Sequence, residues 1–485
     1  MQREYDAVIV GAGAVGCACA RELSKYALNV AVLEKNADVA GETSGRNSAV
    51  VHAGFNNKTG SLMARLCVKG NQGFESVCRT LDIPYKKTGK LLVAFDQADI
   101  ASLENILRTG ERNGCKGLRM VSGEELHALA PNIGGIGGML SAETAIFDPF
   151  IYCIALAENA VANGVHFYFD HEVTGIASRQ DGGFTIQAGC DTFSSRFLIN
   201  SAGLYADRIS AMAGVSGYKL FPCRGEYYIL DKIAEDYLNI PVYPVPRPGI
   251  GGLGVHLTPT INGNIIIGPS AEYIDQRNDY ACTAETMDKL FQEARQLLPT
   301  LERQHIIGNY AGIRPKQAPP EEGGFRDFVI QEEPRRPGLI NLIGIESPGL
   351  TASVPIAEMV RDILSQHIDL KERSDYIATR QGIIRFREQT PEKQADLIAQ
   401  DPEYGEIVCR CQNVTKSEIR QAIENPLGVR SLSAIKYRAW ATTGRCNGGY
   451  CLARISDMLV REYGMEPAKI TYREKGSELF AREVK

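Results

Sequence analysis

Four cysteines near the end of the chain are spaced C-x-C and C-x4-C: Cys409 and Cys411 in IVCRCQNVT, Cys446 and Cys451 in TTGRCNGGYC. Four thiolates drawn from one short stretch make a soft donor set, suited to an iron–sulfur cluster or to zinc. Zinc pairs are usually C-x2-C or wider, so the C-x-C half is unusual for zinc. Gly444, Gly448 and Gly449 let the backbone fold closely around a cluster and turn N–H groups toward sulfur. The set favours a [2Fe–2S] centre, with zinc and with disulfides or free thiols as the other readings. The nine remaining cysteines (Cys17, Cys19, Cys67, Cys78, Cys115, Cys153, Cys190, Cys223 and Cys282) show no ligand spacing and read as buried free thiols.

A second group opens the chain. Gly11, Gly13 and Gly16 form GAGAVG after the apolar run DAVIV. Helical spacing follows through CACARELSKYA, then a second apolar run, NVAVL, ending at Glu34. This order of strand, glycine turn, helix, strand and acid is the dinucleotide fingerprint. Gly11 permits the tight turn, Gly13 the approach of a pyrophosphate, and Gly16 close helix–strand packing. The helix N-terminus offers free N–H groups to phosphates. Glu34 suits the diol of an unphosphorylated ribose. The motif alone does not separate FAD from NAD.

Flavin is favoured by what lies downstream. A Gly/Ser-rich loop, GETSGRNSAVVHAG, carries Ser44, Arg46, Asn47, Ser48 and His52, and no second GxGxxG for a separate nicotinamide site appears. RFLIN followed by SAGLYAD reads as another strand and turn, with Ala202 and Gly203 in the turn. GLINLIGI reads as a strand, followed by ESPGLTAS and a helix through VPIAEMVRDIL. That turn, at Gly349, can aim the Leu350 and Thr351 N–H groups at a ribityl chain or a flavin carbonyl.

The elements needed to position these groups make an α/β protein. Its expected parts are a Rossmann-like FAD domain, an antiparallel-sheet substrate domain and a small helical C-terminal iron–sulfur domain. GEYYIL (225–230) and IIIGP (265–269) read as strands of the substrate sheet, and the turn in INGN signals a hairpin. Expected FAD-binding segments are about 1–85, 142–215 and 308–368, with the substrate domain from about 86–141 and 216–307. A charged connector spans 369–405, with Pro391 and Pro402, and the cysteine module spans 406–485. In that module Thr415 reads as a helix N-cap with Glu418 at the capping-box position, and Cys451 opens another helix.

The first 365 residues resemble the D-amino-acid oxidase superfamily, through GAGAVG, LEK (33–35), TSGRNSAVVHAG, NSAGLYAD, GVHLTPTINGNIIIGP, YAGIRPK and NLIGIESPGLTAS. Within it the chain is most similar to glycerol-3-phosphate oxidases and dehydrogenases and to L-2-hydroxyglutarate oxidases. The resemblance implies FAD, with Ala12, Lys35 and Val173 joining the cofactor site. It implies His52 near the flavin, His256 as the other candidate base, Arg314 as the clamp on a substrate anion and Lys316 as its second contact. VCRCQNVT and GRCNGGYC resemble the bacterioferritin-associated ferredoxin-like domain, which implies [2Fe–2S] ligation by Cys409, Cys411, Cys446 and Cys451. Large subunits of anaerobic glycerol-3-phosphate dehydrogenases join a similar pair of modules.

Histidine suits removal of a hydroxyl proton because it titrates near neutrality. Arginine suits the anion because its planar fork pairs with carboxylate or phosphate. The expected activity is oxidation of sn-glycerol 3-phosphate to dihydroxyacetone phosphate, with electrons leaving singly through the cluster to a partner protein or subunit. The same constellation serves L-2-hydroxyglutarate. Rival readings are a non-catalytic electron-transfer subunit and an oxygen-reducing oxidase whose cysteine module is structural.

Composition narrows the rest. The apolar share of 44% and charged share of 23% are those of a globular protein. A net charge of −5 with dispersed basic residues argues against nucleic acid. The N-terminal apolar run lacks a basic leader, and no apolar stretch is long enough to span a bilayer; peripheral membrane contact stays compatible with the sequence. Thirteen cysteines without an export signal lead us to expect a cytoplasmic protein.

Overall fold

A computed structural model describes residues 2–180, 182–232, 237–246 and 254–480; the last five residues of the C-terminal module lie outside it. The first strand, Gln2–Val10, sits in the middle of a sheet because its apolar run is buried on both faces. It runs parallel to Val30–Leu33 on one side and to Asp191–Asn200 on the other. His166–Tyr168 extends the sheet past Val30–Leu33, and Arg336–Ile343 pairs in parallel with the end of Asp191–Asn200. Five parallel strands thus come from distant parts of the chain. An antiparallel hairpin, Val173–Ser178 with Phe184–Ala188, closes one edge.

Three helices cover this sheet. Ala14–Leu23 is rich in small residues, which lets it lie close against Pro149–Ala162 and Gly349–Leu364. Asp148 caps the second of these, its Oδ1 accepting from the Phe150 and Ile151 N–H groups at 3.0 Å.

The substrate side is a nine-stranded sheet. The hairpin read from INGN is present, His256–Pro259 against Ile265–Gly268. The latter strand also pairs with Phe221–Leu230. The sheet is mostly antiparallel, with one departure from expectation: Val242–Pro244 runs parallel to Lys90–Ala94. Ile306–Lys316 pairs with Phe221–Leu230 along its whole length. Residues 308–316, grouped by sequence with the cofactor segments, therefore lie in the substrate-side sheet. The pairing of strands far apart in the chain decides this, and local sequence does not encode it. The helix Ala284–Leu297, capped by Thr283, covers the sheet with Leu290, Phe291 and Leu297.

The connector runs along the cofactor half. Backbone bonds join Lys25 and Ala27 to Arg373 and Lys371, and Arg380 pairs with Glu158 at 2.6 Å. The C-terminal module has its own core, with Ile419, Ile423, Ile435, Ile455 and Leu459 from three short helices. Its first helix, Lys416–Ile423, begins with the complete capping box of Thr415 and Glu418. Among the described residues no helix is long and apolar enough to cross a membrane.

Candidate functional site

A cavity of about 1230 Å³ opens between the two sheets. Its wall includes Gly11, Gly13, Glu34, Lys35, Ser44, Arg46, Asn47 and Ser48 from the N-terminal segment. Val173, Ala202, Gly203, Gly349 and Leu350 join them from the later cofactor segments, and His52, His256, Arg314 and Lys316 line its other end. Ala12, Gly16 and Thr351 stand just behind the wall.

The glycine turn is tightly built. A Cβ on Gly16 would lie 1.9 Å from the Gly11 carbonyl oxygen, so no other residue fits there. The buried Glu34 carboxylate accepts from the Ala12 N–H at 2.6 Å and from the Asn36 N–H at 2.9 Å. Burial raises its pKa while these donors oppose the shift. Ser44 Oγ accepts from the Ala14 N–H at 2.9 Å, at the N-terminus of the first helix. Asn47 Nδ2 donates to the Ser44 carbonyl at 2.7 Å and so pins the loop. Lys35 is held by Glu42 at 3.0 Å and lies over the Tyr205 ring. Arg46 lies over the Tyr280 ring. The Leu350 and Thr351 N–H groups fall in the first turn of Gly349–Leu364, where a helix has no internal acceptors to offer. A cavity with backbone donors at two helix N-termini and a buried carboxylate in its wall fits a dinucleotide flavin.

The other end carries the titratable groups. His256 is buried and lies flat on Tyr243, with ring centroids 3.8 Å apart and planes 8° apart. Its Nδ1 lies 3.1 Å from the Gly254 carbonyl, which can only accept, so Nδ1 carries the proton. Nε2 is buried and has no hydrogen-bond partner among the described residues. Burial lowers the His256 pKa to about 3, so the ring is neutral. His52 donates its backbone N–H to Thr351 Oγ1 at 3.0 Å, and its Nε2 lies 3.4 Å from Ser347 Oγ. It is half-buried, its open side facing the cavity, and burial followed by Lys90 and His256 puts its pKa well below the usual value.

Arg314 donates from both Nη atoms to the Ser270 carbonyl at 3.3 Å and from Nη1 to Cys223 Sγ at 3.8 Å, and no carboxylate among the described residues pairs with it. Lys316 differs. It is 1% exposed and already paired with Glu346 at 2.7 Å. The structure brings Lys316 to the wall but supplies its counter-charge from the protein. Sequence reasoning missed Glu346, the aromatic faces of Tyr227 and Tyr243, and Lys90. The signal for Lys90 was present, because it opens the otherwise apolar strand KLLVA.

The four late cysteines converge as two pairs. The Cys409 and Cys451 side chains are hydrogen-bonded and buried; those of Cys411 and Cys446 are hydrogen-bonded and exposed. The Cys451 bond, and then backbone N–H groups of Thr442, Gln412 and Cys411, lower the Cys409 pKa to about 6 against the effect of burial. The N–H groups of Tyr450 and Gly448 turn toward Cys446 and lower its pKa too. A Cβ on Gly444 would lie 2.2 Å from the Cys411 Cβ, so the loop depends on glycine there. Among the described residues no three Cys, His, Asp or Glu side chains converge on a single point, as a one-ion site requires. Two cysteine pairs with backbone donors around them fit a two-iron cluster.

The module is fastened to the cofactor half. Arg438 pairs with Asp38 at 2.6 Å, and Trp440 Nε1 donates to Asp148 at 3.1 Å. Tyr437 lies flat on Phe150, centroids 3.8 Å apart, and Arg473 donates to the Gly41 carbonyl.

A glycine-turn parallel sheet sharing a cavity with a second sheet defines a dinucleotide-dependent oxidoreductase. Residues 6–363 match the FAD dependent oxidoreductase family, and residues 407–461 match the BFD-like [2Fe-2S] binding domain. The chain belongs to that family of FAD-dependent oxidoreductases and carries a BFD-like [2Fe–2S] domain behind it. It is 38% identical to a glycerol 3-phosphate dehydrogenase of Caloramator mitchellensis, over 98% of this chain and 97% of that one. It is 33% identical to the mitochondrial L-2-hydroxyglutarate dehydrogenase of Arabidopsis thaliana, over 74% of this chain and 83% of the relative. Among solved structures it resembles dithionite-reduced L-alpha-glycerophosphate oxidase of Mycoplasma pneumoniae with FAD bound. That match has a TM-score of 0.73 and 29% identity, covering 78% of this chain and 98% of that one.

Proposed function

We propose that this chain is a dehydrogenase that oxidises sn-glycerol 3-phosphate to dihydroxyacetone phosphate and delivers the electrons singly to a protein partner. The observation that carries this reading is a likeness to a glycerol 3-phosphate dehydrogenase that runs through the cysteine module as well as the flavin part. When bound, FAD supplies the hydride acceptor and the [2Fe–2S] cluster a one-electron carrier. Gly11, Gly13 and the first helix turn take the pyrophosphate; Glu34 takes the ribose; Leu350 and Thr351 offer N–H groups to the flavin end. Arg314, with no carboxylate of its own, takes the phosphate. His256 takes the hydroxyl proton at Nε2, which has no partner among the described residues, as the carbinol carbon gives up its hydride, so two electrons and two protons leave the alcohol. His52, between Thr351 and Ser347, is the competing acceptor. Cys409, Cys411, Cys446 and Cys451 hold the cluster. Thirteen unbridged cysteines support a cytoplasmic setting.

L-2-hydroxyglutarate is the second reading, supported by relatives that match the flavin part alone. Anaerobic addition of glycerol 3-phosphate, L-2-hydroxyglutarate and lactate to the holoenzyme separates the two. We expect glycerol 3-phosphate to bleach the flavin and then the cluster. Bleaching by L-2-hydroxyglutarate alone would overturn the choice of substrate, and a cluster that never reduces would overturn the electron route.

A further inference from the structure

Two buried lysines reach the cavity wall. Lys316 has Glu346 beside it. Lys90 is 2% exposed, and among the described residues no carboxylate lies within ion-pair distance of it. Glu143, which follows the neighbouring strand, is taken by Lys87. Lys90 Nζ instead lies 4.6 Å from the centre of the Phe55 ring and 4.4 Å from that of Tyr243. Aromatic faces attract a cation but offset only part of what an ammonium loses on leaving water. Tyr243 is the ring on which His256 lies. The groups facing Lys90 are the Cys67 thiol, His52 and His256, with no acid among them. Burial brings its pKa down to about 7. Lys90 and Arg314 both depress the His256 pKa, so two cations flank one imidazole; among the described residues neither has a carboxylate within ion-pair distance, and Glu346 acts on Arg314 from further off.

We propose that Lys90 is a substrate-contacting residue whose ammonium takes an anionic oxygen of the alcohol, so that Lys90 and Arg314 together select dianions over monoanions. This deepens the reading of the cavity as a site for an anionic alcohol and rests on it. A phosphate monoester or a dicarboxylate supplies both charges; a simple 2-hydroxy acid supplies one. A protein carboxylate beside Lys90 would compete with the substrate, and none stands within ion-pair distance of it among the described residues.

The ketone products test this without turnover. Oxidised holoenzyme is titrated with dihydroxyacetone phosphate, 2-oxoglutarate and the monoanion pyruvate, following the flavin absorbance. We expect one dianion to bind at least tenfold more tightly than pyruvate. Lys90→Met should weaken that dianion roughly 30- to 100-fold, as expected for loss of one partner of a buried charge pair. Lys90→Arg should restore most of the affinity. The sign with pH follows from burial. The ammonium is present below about pH 7 and lost above it, so wild-type affinity falls as pH rises. The Arg variant, which stays charged, lacks that limb. Comparing the two cancels the ligand's own ionisation. A folded, flavin-loaded Lys90→Met that binds the dianion within threefold of wild type, with the same pH profile, overturns the role of Lys90 alone. Failure of wild type to bind any of the three overturns it together with the reading of the cavity.

Discussion

In the flavin cavity three titratable groups at the substrate end are hidden from bulk water, whereas at the cysteine site half of the donor set faces it. Lys90, His256 and Lys316 are each under 5% exposed, while Cys411 and Cys446 lie open. The cavity shifts protonation by desolvation: imidazoles are held neutral and one lysine is brought near neutrality. In the module, hydrogen bonds to sulfur favour the thiolates of Cys409 and Cys446, while the bond to Cys409 and burial push the Cys451 thiol up. Transfer of hydride and proton benefits from excluding water, whereas passing single electrons to a partner requires an edge that the partner can approach.

The largest expected effect falls on the exposed side. Cys446→Ser should remove the cluster's visible absorbance and abolish turnover with a one-electron acceptor, while substrate still bleaches the flavin anaerobically. Unchanged turnover would mean that electrons leave by another route. Next, His256→Ala should lower kcat by about 10²- to 10⁴-fold, the usual contribution of a general base. Because the folded ring stays neutral down to about pH 3, His256 should impose no acid limb on kcat/KM across the neutral range. It should instead cost stability as pH falls below about 6.5, where the unfolded chain binds a proton that the folded chain refuses. A larger loss of kcat in His52→Ala would exchange the roles of the two histidines.

Arg314→Ala should reduce kcat/KM by about 30- to 10³-fold, mostly through KM. An equal loss carried by kcat alone would place Arg314 at the reacting carbon and break the division between anion clamp and base. The smallest effect belongs to the seam between the two regions. Tyr437→Ala should cost about 1 kcal/mol through the lost ring pair with Phe150. Thermal melts should show a small fall in Tm and, with it, faster release of FAD.

The parts legible in the sequence are those whose chemistry lies in contiguous residues. GAGAVG with Glu34, the loop from Ser44 to His52, and the two cysteine pairs each announce themselves within a few turns of chain. Lys90 and Tyr243 are another matter. They meet because Val242–Pro244 pairs with Lys90–Ala94, a contact across some 150 residues that no local pattern encodes. Lys316 reads as a second anion contact in the sequence, which does not show that Glu346, after a strand of the other sheet, meets it in the fold. The tautomer of His256 depends on the Gly254 carbonyl and so required coordinates.

Arg473 bonds Gly41 across 432 residues of chain, and Tyr437 presses on Phe150, whose ring fills the space beside Gly45. The loop so held is part of the cavity wall. Loop and brace lie in different modules, so a cut before Tyr437 would leave the flavin-binding segments whole and still remove two of the contacts that hold this wall.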